Sequence, residues 1–155
     1  MPRKCALALS RAGGSPARGV FLLVLALAAA QPPHLKAQAS ATYPVGEAPV
    51  GIAFDGVNIW VTNSGDNSVS ELLASTGATI GTYPVGSIPY AVAFDGANIW
   101  VANLGSNNVT KLLASTGVLV GTYPVGLSPR DVAYDGSNIW VPNVLSGLTK
   151  LLAST

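Results

Sequence analysis

From about residue 41 onward, short apolar runs alternate with clusters of Gly, Asn, Asp and Ser. The segment Asn58-Ile59-Trp60-Val61-Thr62-Asn63 returns as Asn98-Ile99-Trp100-Val101-Ala102-Asn103 and as Asn138-Ile139-Trp140-Val141-Pro142-Asn143, 40 residues apart each time. Within one copy the apolar positions follow a period of two. Val50, Ile52 and Phe54 alternate with the small Gly51 and Ala53, which predicts a first strand over residues 50–54. Asp55-Gly56-Val57-Asn58 is a tight-turn sequence, the glycine supplying positive φ. A second strand follows over residues 59–62, rich in β-branched and aromatic side chains. A third runs from near Val69 through Leu72-Leu73, and a fourth over residues 79–83 is stopped by Pro84. No window holds a helical period.

The expected fold is all-β. A repeat of about 40 residues with four short strands is the signature of a β-propeller blade. Three copies run from Ala41 to Ile80, Gly81 to Val120 and Gly121 to Thr155. The register is offset. The repeating region begins with what reads as a lone fourth strand, Thr42-Tyr43-Pro44-Val45, and its last copy stops after a third strand at Leu151-Leu152.

The first 39 residues have another character. Arg3, Lys4, Arg11 and Arg18 precede an apolar core from Gly19 to Ala30, and Ala37-Gln38-Ala39 has the small-x-small pattern of a signal-peptide cleavage site. The apolar run is shorter than the ~20 residues of a spanning helix. A signal peptide over residues 1–39 is therefore expected, with Ser40 as the mature N-terminus, no membrane span after cleavage, and a secreted or periplasmic product. Cys5 lies upstream of the apolar core, on the wrong side for lipoprotein processing.

Removing that segment changes the charge. The full chain is formally +1, but only Lys111, Arg130 and Lys150 remain against seven carboxylates, and three minus seven leaves −4. Such a surface offers no footprint for nucleic acid. Cys5 and His34, the chain's one cysteine and one histidine, leave as well. The mature region thus lacks a thiol, a disulfide and an imidazole.

Trp60-Val61-Thr62-Asn63 followed by Gly65-Asp66-Asn67 and Val69 resembles the repeat of the YVTN family of β-propellers. The longer frame Pro49…Ala53-Phe54-Asp55-Gly56…Asn58-Ile59-Trp60-Val61 resembles blades of streptogramin (virginiamycin B) lyase-like propellers, with NHL and gluconolactonase-like propellers more distant. The resemblance implies a closed ring of six or seven blades, whereas this chain has three repeats. It is thus either a partial propeller, a non-functional fragment of a longer one, or half of a six-bladed ring completed by a second copy. In the second case the leading strand of one chain would complete the last blade of its neighbour. The lyase resemblance further implies carbon–oxygen elimination by a catalytic histidine with Mg²⁺ near acidic residues. No position of the mature chain can inherit the histidine, and no catalytic residue, cofactor or metal ligand is assigned; Mg²⁺ belongs to the lyase alternative alone.

In an up-and-down blade, alternate turns lie on the same side. The first-to-second and third-to-fourth turns are nearly constant among the copies. The other pair varies: Glu47-Ala48-Pro49-Val50-Gly51 becomes Ser87-Ile88-Pro89-Tyr90-Ala91 and then Leu127-Ser128-Pro129-Arg130-Asp131. Loops that vary on one side of a rigid repeat scaffold are where binding resides. Glu47, Tyr90, Arg130 and Asp131 are the candidate binding residues, for an unidentified protein or small-molecule partner. Neutral drift, or an Arg130–Asp131 ion pair without a ligand, would leave the same pattern. Trp60, Trp100 and Trp140 are assigned to packing between blades, Asp55, Asp95 and Asp135 to turn formation, and Asn63, Asn103 and Asn143 to bonding turn backbone. Pro142, in place of Thr62, falls where a missing donor is tolerated.

Overall fold

The computed structural model describes residues 40–154, and the expected signal peptide lies outside them. Among the described residues there is no helix. Eleven strands form three antiparallel sheets. Blade 1 comprises β1 (Pro49–Phe54), β2 (Asn58–Asn63), β3 (Ser68–Leu73) and β4 (Thr79–Pro84), hydrogen-bonded in that order. Blade 2 repeats it with β5 (Pro89–Phe94), β6 (Asn98–Asn103), β7 (Asn108–Leu113) and β8 (Leu119–Pro124). Blade 3 holds β9 (Ala133–Tyr134), β10 (Asn138–Asn143) and β11 (Gly147–Leu152). The chain is all-β and forms part of a β-propeller.

The alternation of the sequence becomes a division between two unlike blade faces. One face of blade 1 carries Trp60, Val69 and Ala53, with Tyr83 and Val85 from the far edge. It packs on Val92, Phe94, Ile99, Val101, Leu112 and Ala114 of blade 2. Blades 2 and 3 repeat the arrangement, with Trp100, Val109, Ala91, Ala93, Tyr123 and Val125 set against Val132, Ile139, Val141, Leu151 and Ala153. Each blade therefore presents a face built on tryptophan and tyrosine to the next blade and a mainly aliphatic face to the previous one. Trp60 and Trp100 are fully buried in these layers, and Trp140, on the open side of blade 3, is only half-buried. Burying aromatic and aliphatic side chains of this size is the main stabilising contribution, about 1.5–3 kcal/mol each.

First strands of successive blades approach one another closely. A Cβ at Gly51 would stand 2.6 Å from the Tyr90 carbonyl oxygen, so a side chain there would push β1 off β5. The absence of a side chain at Gly51 lets β1 and β5 converge.

Two expectations are corrected. The stretch Thr42–Val45 is not a strand. No described sheet edge lies beside it for its backbone to pair with, and it lies instead against blade 1, where Tyr43 covers Gly77. The first strand of blade 3 is also reduced, to two residues of β9 and an isolated bridge between Pro129 and Asn143. Pro142 is the cause. It accepts from Arg130 N–H through its carbonyl (3.2 Å) but has no N–H to return, so the ladder opens there. The missing donor leaves β10 intact through Asn143 and shortens its neighbour instead.

Candidate functional site

Backbone hydrogen bonds join the turns in two pairs. On one side, the turn between second and third strands lies on the connection that enters the blade. Ser64 and Gly65 donate to the carbonyls of Ala48 and Glu47, both at 3.0 Å. Leu104 and Gly105 repeat this with Ile88 and Ser87, and Val144 and Leu145 with Ser128 and Leu127. On the other side, Ala74 donates to Val57, Ala114 to Ala97 and Ala153 to Ser137. The variable turns are therefore adjacent in each blade, and the constant turns occupy the opposite side.

Side chains hold the variable turns further. The Asp66 carboxylate accepts from Glu47 N–H at 2.6 Å, and Ser106 and Ser146 hydroxyls accept from Ser87 and Leu127. Asn67 Oδ1 accepts from Ile88 N–H of the next blade (2.9 Å), and Asn107 Oδ1 from Ser128 N–H (2.8 Å). In every copy the residue before the entering proline is left-handed: Ala48 at φ 49°, Ile88 at 51° and Ser128 at 57°. Left-handed geometry costs an L-residue about 1–2 kcal/mol, and a β-branched Ile88 is a marked exception. Such strain gathers where function dictates backbone shape.

Of the four candidate residues, two come together. The Arg130 guanidinium lies over the Tyr90 ring, its Cζ 5.7 Å from the centroid. The two stand at the same position of successive blades, so the contact bridges the blade 2–blade 3 boundary. Asp131 forms no ion pair with Arg130; its Oδ1 accepts from Val132 N–H at 2.8 Å. Glu47 is exposed on blade 1, its side chain making no hydrogen bond with the other three candidates. The site is thus a cation–aromatic pair on a stiff surface, with an acidic residue on either side in sequence order. Among the described residues no three His, Cys, Asp or Glu side chains gather.

The constant side carries chemistry that is already engaged. Asp55, Asp95 and Asp135 accept the indole N–H of Trp60, Trp100 and Trp140 at 2.8, 2.7 and 2.7 Å. Their other oxygen caps the turn: Asp95 Oδ1 accepts from Ala97 and Asn98 N–H at 2.9 and 2.7 Å. Burial raises the Asp95 pKa, but the hydrogen bonds from Trp100, Ala97 and Asn98 outweigh it and hold the carboxyl below its ordinary value. At Asp55 burial is outweighed in the same way, by Trp60, Asn58 and Val57. At Asp135 the Trp140 bond comes first, followed by Asn138, and the pKa is again lowered. The indole bond is a second role for these aspartates, beyond the turn formation expected from their place in the sequence. Its signal was available, since Asp and Trp stand five residues apart in all three copies. Shallow clefts of about 450 and 470 Å³ lie between neighbouring constant turns, but the carboxylates at their edges are occupied by these bonds.

Asn63, Asn103 and Asn143 are buried at the ends of the second strands. Asn63 Oδ1 accepts from Gly46 N–H at 3.1 Å, while its Nδ2 donates to the Ser68 and Ser70 hydroxyls. Asn63 thus ties the entering connection to the third strand, whereas Asn103 and Asn143 reach the third strand through Nδ2 and their Oδ1 atoms are buried without a partner.

Comparison with solved structures supports the fold. The chain is similar to hydrazine synthase of Kuenenia stuttgartiensis, with a TM-score of 0.66 and 22% identity over 76% of this chain and 36% of that one. It is also similar to a functionally unknown protein of Desulfotomaculum acetoxidans DSM 771, with a TM-score of 0.59 and 22% identity over 72% of this chain and 44% of that one. This chain thus spans less than half the length of either. No protein-family model matches it. No curated protein matches it either. At this identity the likeness is one of fold.

Proposed function

We propose that this chain is an exported propeller of the YVTN or streptogramin lyase-like kind that acts as an interaction module, binding a protein or small-molecule partner through its variable-turn side. The observation that carries the reading is the Arg130–Tyr90 pair, 5.7 Å apart on turns locked by backbone bonds and held in left-handed geometry. A planar guanidinium over an aromatic ring is pre-organised for a carboxylate or a flat ligand, and it loses little side-chain freedom on binding. Glu47 and Asp131 would select for polar or basic groups around it.

A photo-crosslinking residue at Leu127, exposed on the same variable turn, compared with one at Ser115 on the constant side, tests this in cells or medium that contain the native partner. A crosslinked species from position 127 that disappears with Tyr90→Ala or Arg130→Ala and is absent from position 115 is expected. Equal labelling from both sides refutes the reading. Export is tested separately, by N-terminal sequencing of the secreted product, with Ser40 as the expected first residue.

A further inference from the structure

The sequence Thr-Tyr-Pro-Val-Gly occurs three times, starting at Thr42, Thr82 and Thr122. Two copies end the outermost strands β4 and β8. There Tyr83 stacks on Trp60 and Tyr123 lies tilted against Trp100, each with ring centroids 5.6 Å apart. Tyr83 also covers Gly117 of the following blade. The first copy has only half of this environment. Tyr43 covers Gly77 of blade 1 as Tyr83 covers Gly117, yet no tryptophan stacks on it. Trp140 is its counterpart. It lies under Lys150 (Nζ 5.2 Å from the ring centroid) as Trp100 lies under Lys111 (4.8 Å), but no tyrosine covers it.

The surrounding positions divide in the same way. Val69 and Val109 are fully buried, whereas Leu148 at the equivalent position of β11 is 62% exposed. Val92 and Val132 are 9% and 5% exposed, whereas Ile52 in blade 1 is 69% exposed. Next to it, Tyr43, Val45, Ile59, Val61 and Leu72 line a groove of about 370 Å³. The open side of blade 3 is therefore the aromatic face of an interface whose aliphatic face is the open side of blade 1. Neither face complements itself.

We propose that two copies of this chain associate head to tail, the Thr42–Val45 segment of each adding to β11 of the other as its fourth strand, and so close a ring of six blades. The occupant is a second copy because the chain already contains this interface twice, between blades 1 and 2 and between blades 2 and 3, made of the same residue types. The register follows from β7 and β8, where Thr110 faces Thr122 and Val109 faces Tyr123. Transferred to β11, Thr149 of one copy faces Thr42 of the other, and Leu148 faces Tyr43, bringing that ring onto Trp140. An exposed strand edge is a ready template for this addition. The inference concerns assembly and stands apart from the variable-turn side.

The test uses the full chain carrying Cys5→Ser, with Thr42→Cys and Thr149→Cys made as separate variants. Mixed and oxidised, the two variants form a disulfide-linked species of twice the chain mass that neither forms alone, and light scattering of the unmodified chain gives the same doubled mass. Leu148→Lys, at a position exposed in the single chain, halves that mass and leaves the far-ultraviolet circular dichroism of a folded β protein. A folded chain of single mass at the highest attainable concentration overturns the proposal. So does a mass beyond two copies, or a mixture that does not cross-link.

Discussion

Replacing Asp95 separates two roles that one carboxylate performs. Its Oδ2 accepts the Trp100 indole at 2.7 Å, and its Oδ1 accepts the Ala97 and Asn98 backbone N–H groups. Trp100 is fully buried, so the indole N–H has no recourse to water. In Asp95→Asn the amide oxygen still serves the turn, but the amide nitrogen faces the indole, donor against donor. Leaving that buried donor unpaired costs about 1–3 kcal/mol. Asp95→Ala also releases the turn, and the total rises to about 2–4 kcal/mol at roughly 1 kcal/mol for the pair of partly exposed bonds. For a domain of this size each kcal/mol lowers Tm by about 4 °C. Urea and thermal unfolding at one fixed protein concentration measure both variants, and Trp100→Phe closes a double-mutant cycle. The Asp95→Asn loss should shrink by about 1–2 kcal/mol in the Trp100→Phe background. Equal losses in the two backgrounds would refute the claim that Asp95 acts through the indole.

Gly117 and Gly96 both have positive φ, at 69° and 101°, but a Cβ at Gly117 meets the Tyr83 ring while one at Gly96 meets open space. Gly96→Ala should cost about 1 kcal/mol from backbone strain and Gly117→Ala about 2–4 kcal/mol, compared by urea midpoint. Ile88→Asn, which tolerates the left-handed geometry, should stabilise the chain by about 0.5–1 kcal/mol in the same assay. Pro142→Thr should restore an N–H to the ladder and slow amide exchange at Asp131 opposite it, with unchanged exchange refuting the account of β9. With Asp55, Asp95 and Asp135 all held below 3.8 when folded, their contribution is complete above that value and is lost as pH falls below it. The urea midpoint should drop between about pH 4 and pH 2. Tyr83 is pushed up from 10.0 to about 12 by burial, then by its bond to Glu71 (2.7 Å) and that group's charge. Its contribution is present below 10.0 and lost as pH rises toward 12, so Tyr83→Phe should flatten the alkaline limb of the stability curve.

The blade frame was legible because local signals agree. Alternation at Val50, Ile52 and Phe54, the Asp55-Gly56 turn and the Ile59–Thr62 β-branched run all favour the same hairpin, and the 40-residue spacing repeats it. The turn pairing was legible too, since up-and-down connectivity fixes which turns share a side. What escaped depends on contacts between blades or on one missing atom. Pro142 was read by its effect on its own strand, but a lost N–H acts on the partner, and β9 shortened. Thr42–Val45 has the sequence of a strand and no edge to join, because strand formation needs a neighbour as well as propensity. At the candidate site, the 40-residue offset of Tyr90 and Arg130 contained their adjacency, while the turn of Asp131 toward Val132 N–H is a rotamer choice that residue type does not reveal.

The unlikeness of the two blade faces has a consequence for how such chains can grow or shrink. Every inserted unit brings one aromatic face and one aliphatic face, so duplication or deletion of 40 residues leaves each remaining boundary chemically unchanged. Copy number is then limited by curvature rather than by recognition. Between blades 1 and 2 the first strands meet at Gly51, where a Cβ would come within 2.6 Å of the Tyr90 carbonyl oxygen. Side-chain volume at this one site is a wedge, and enlarging it is a direct way to alter how many units fit around an axis.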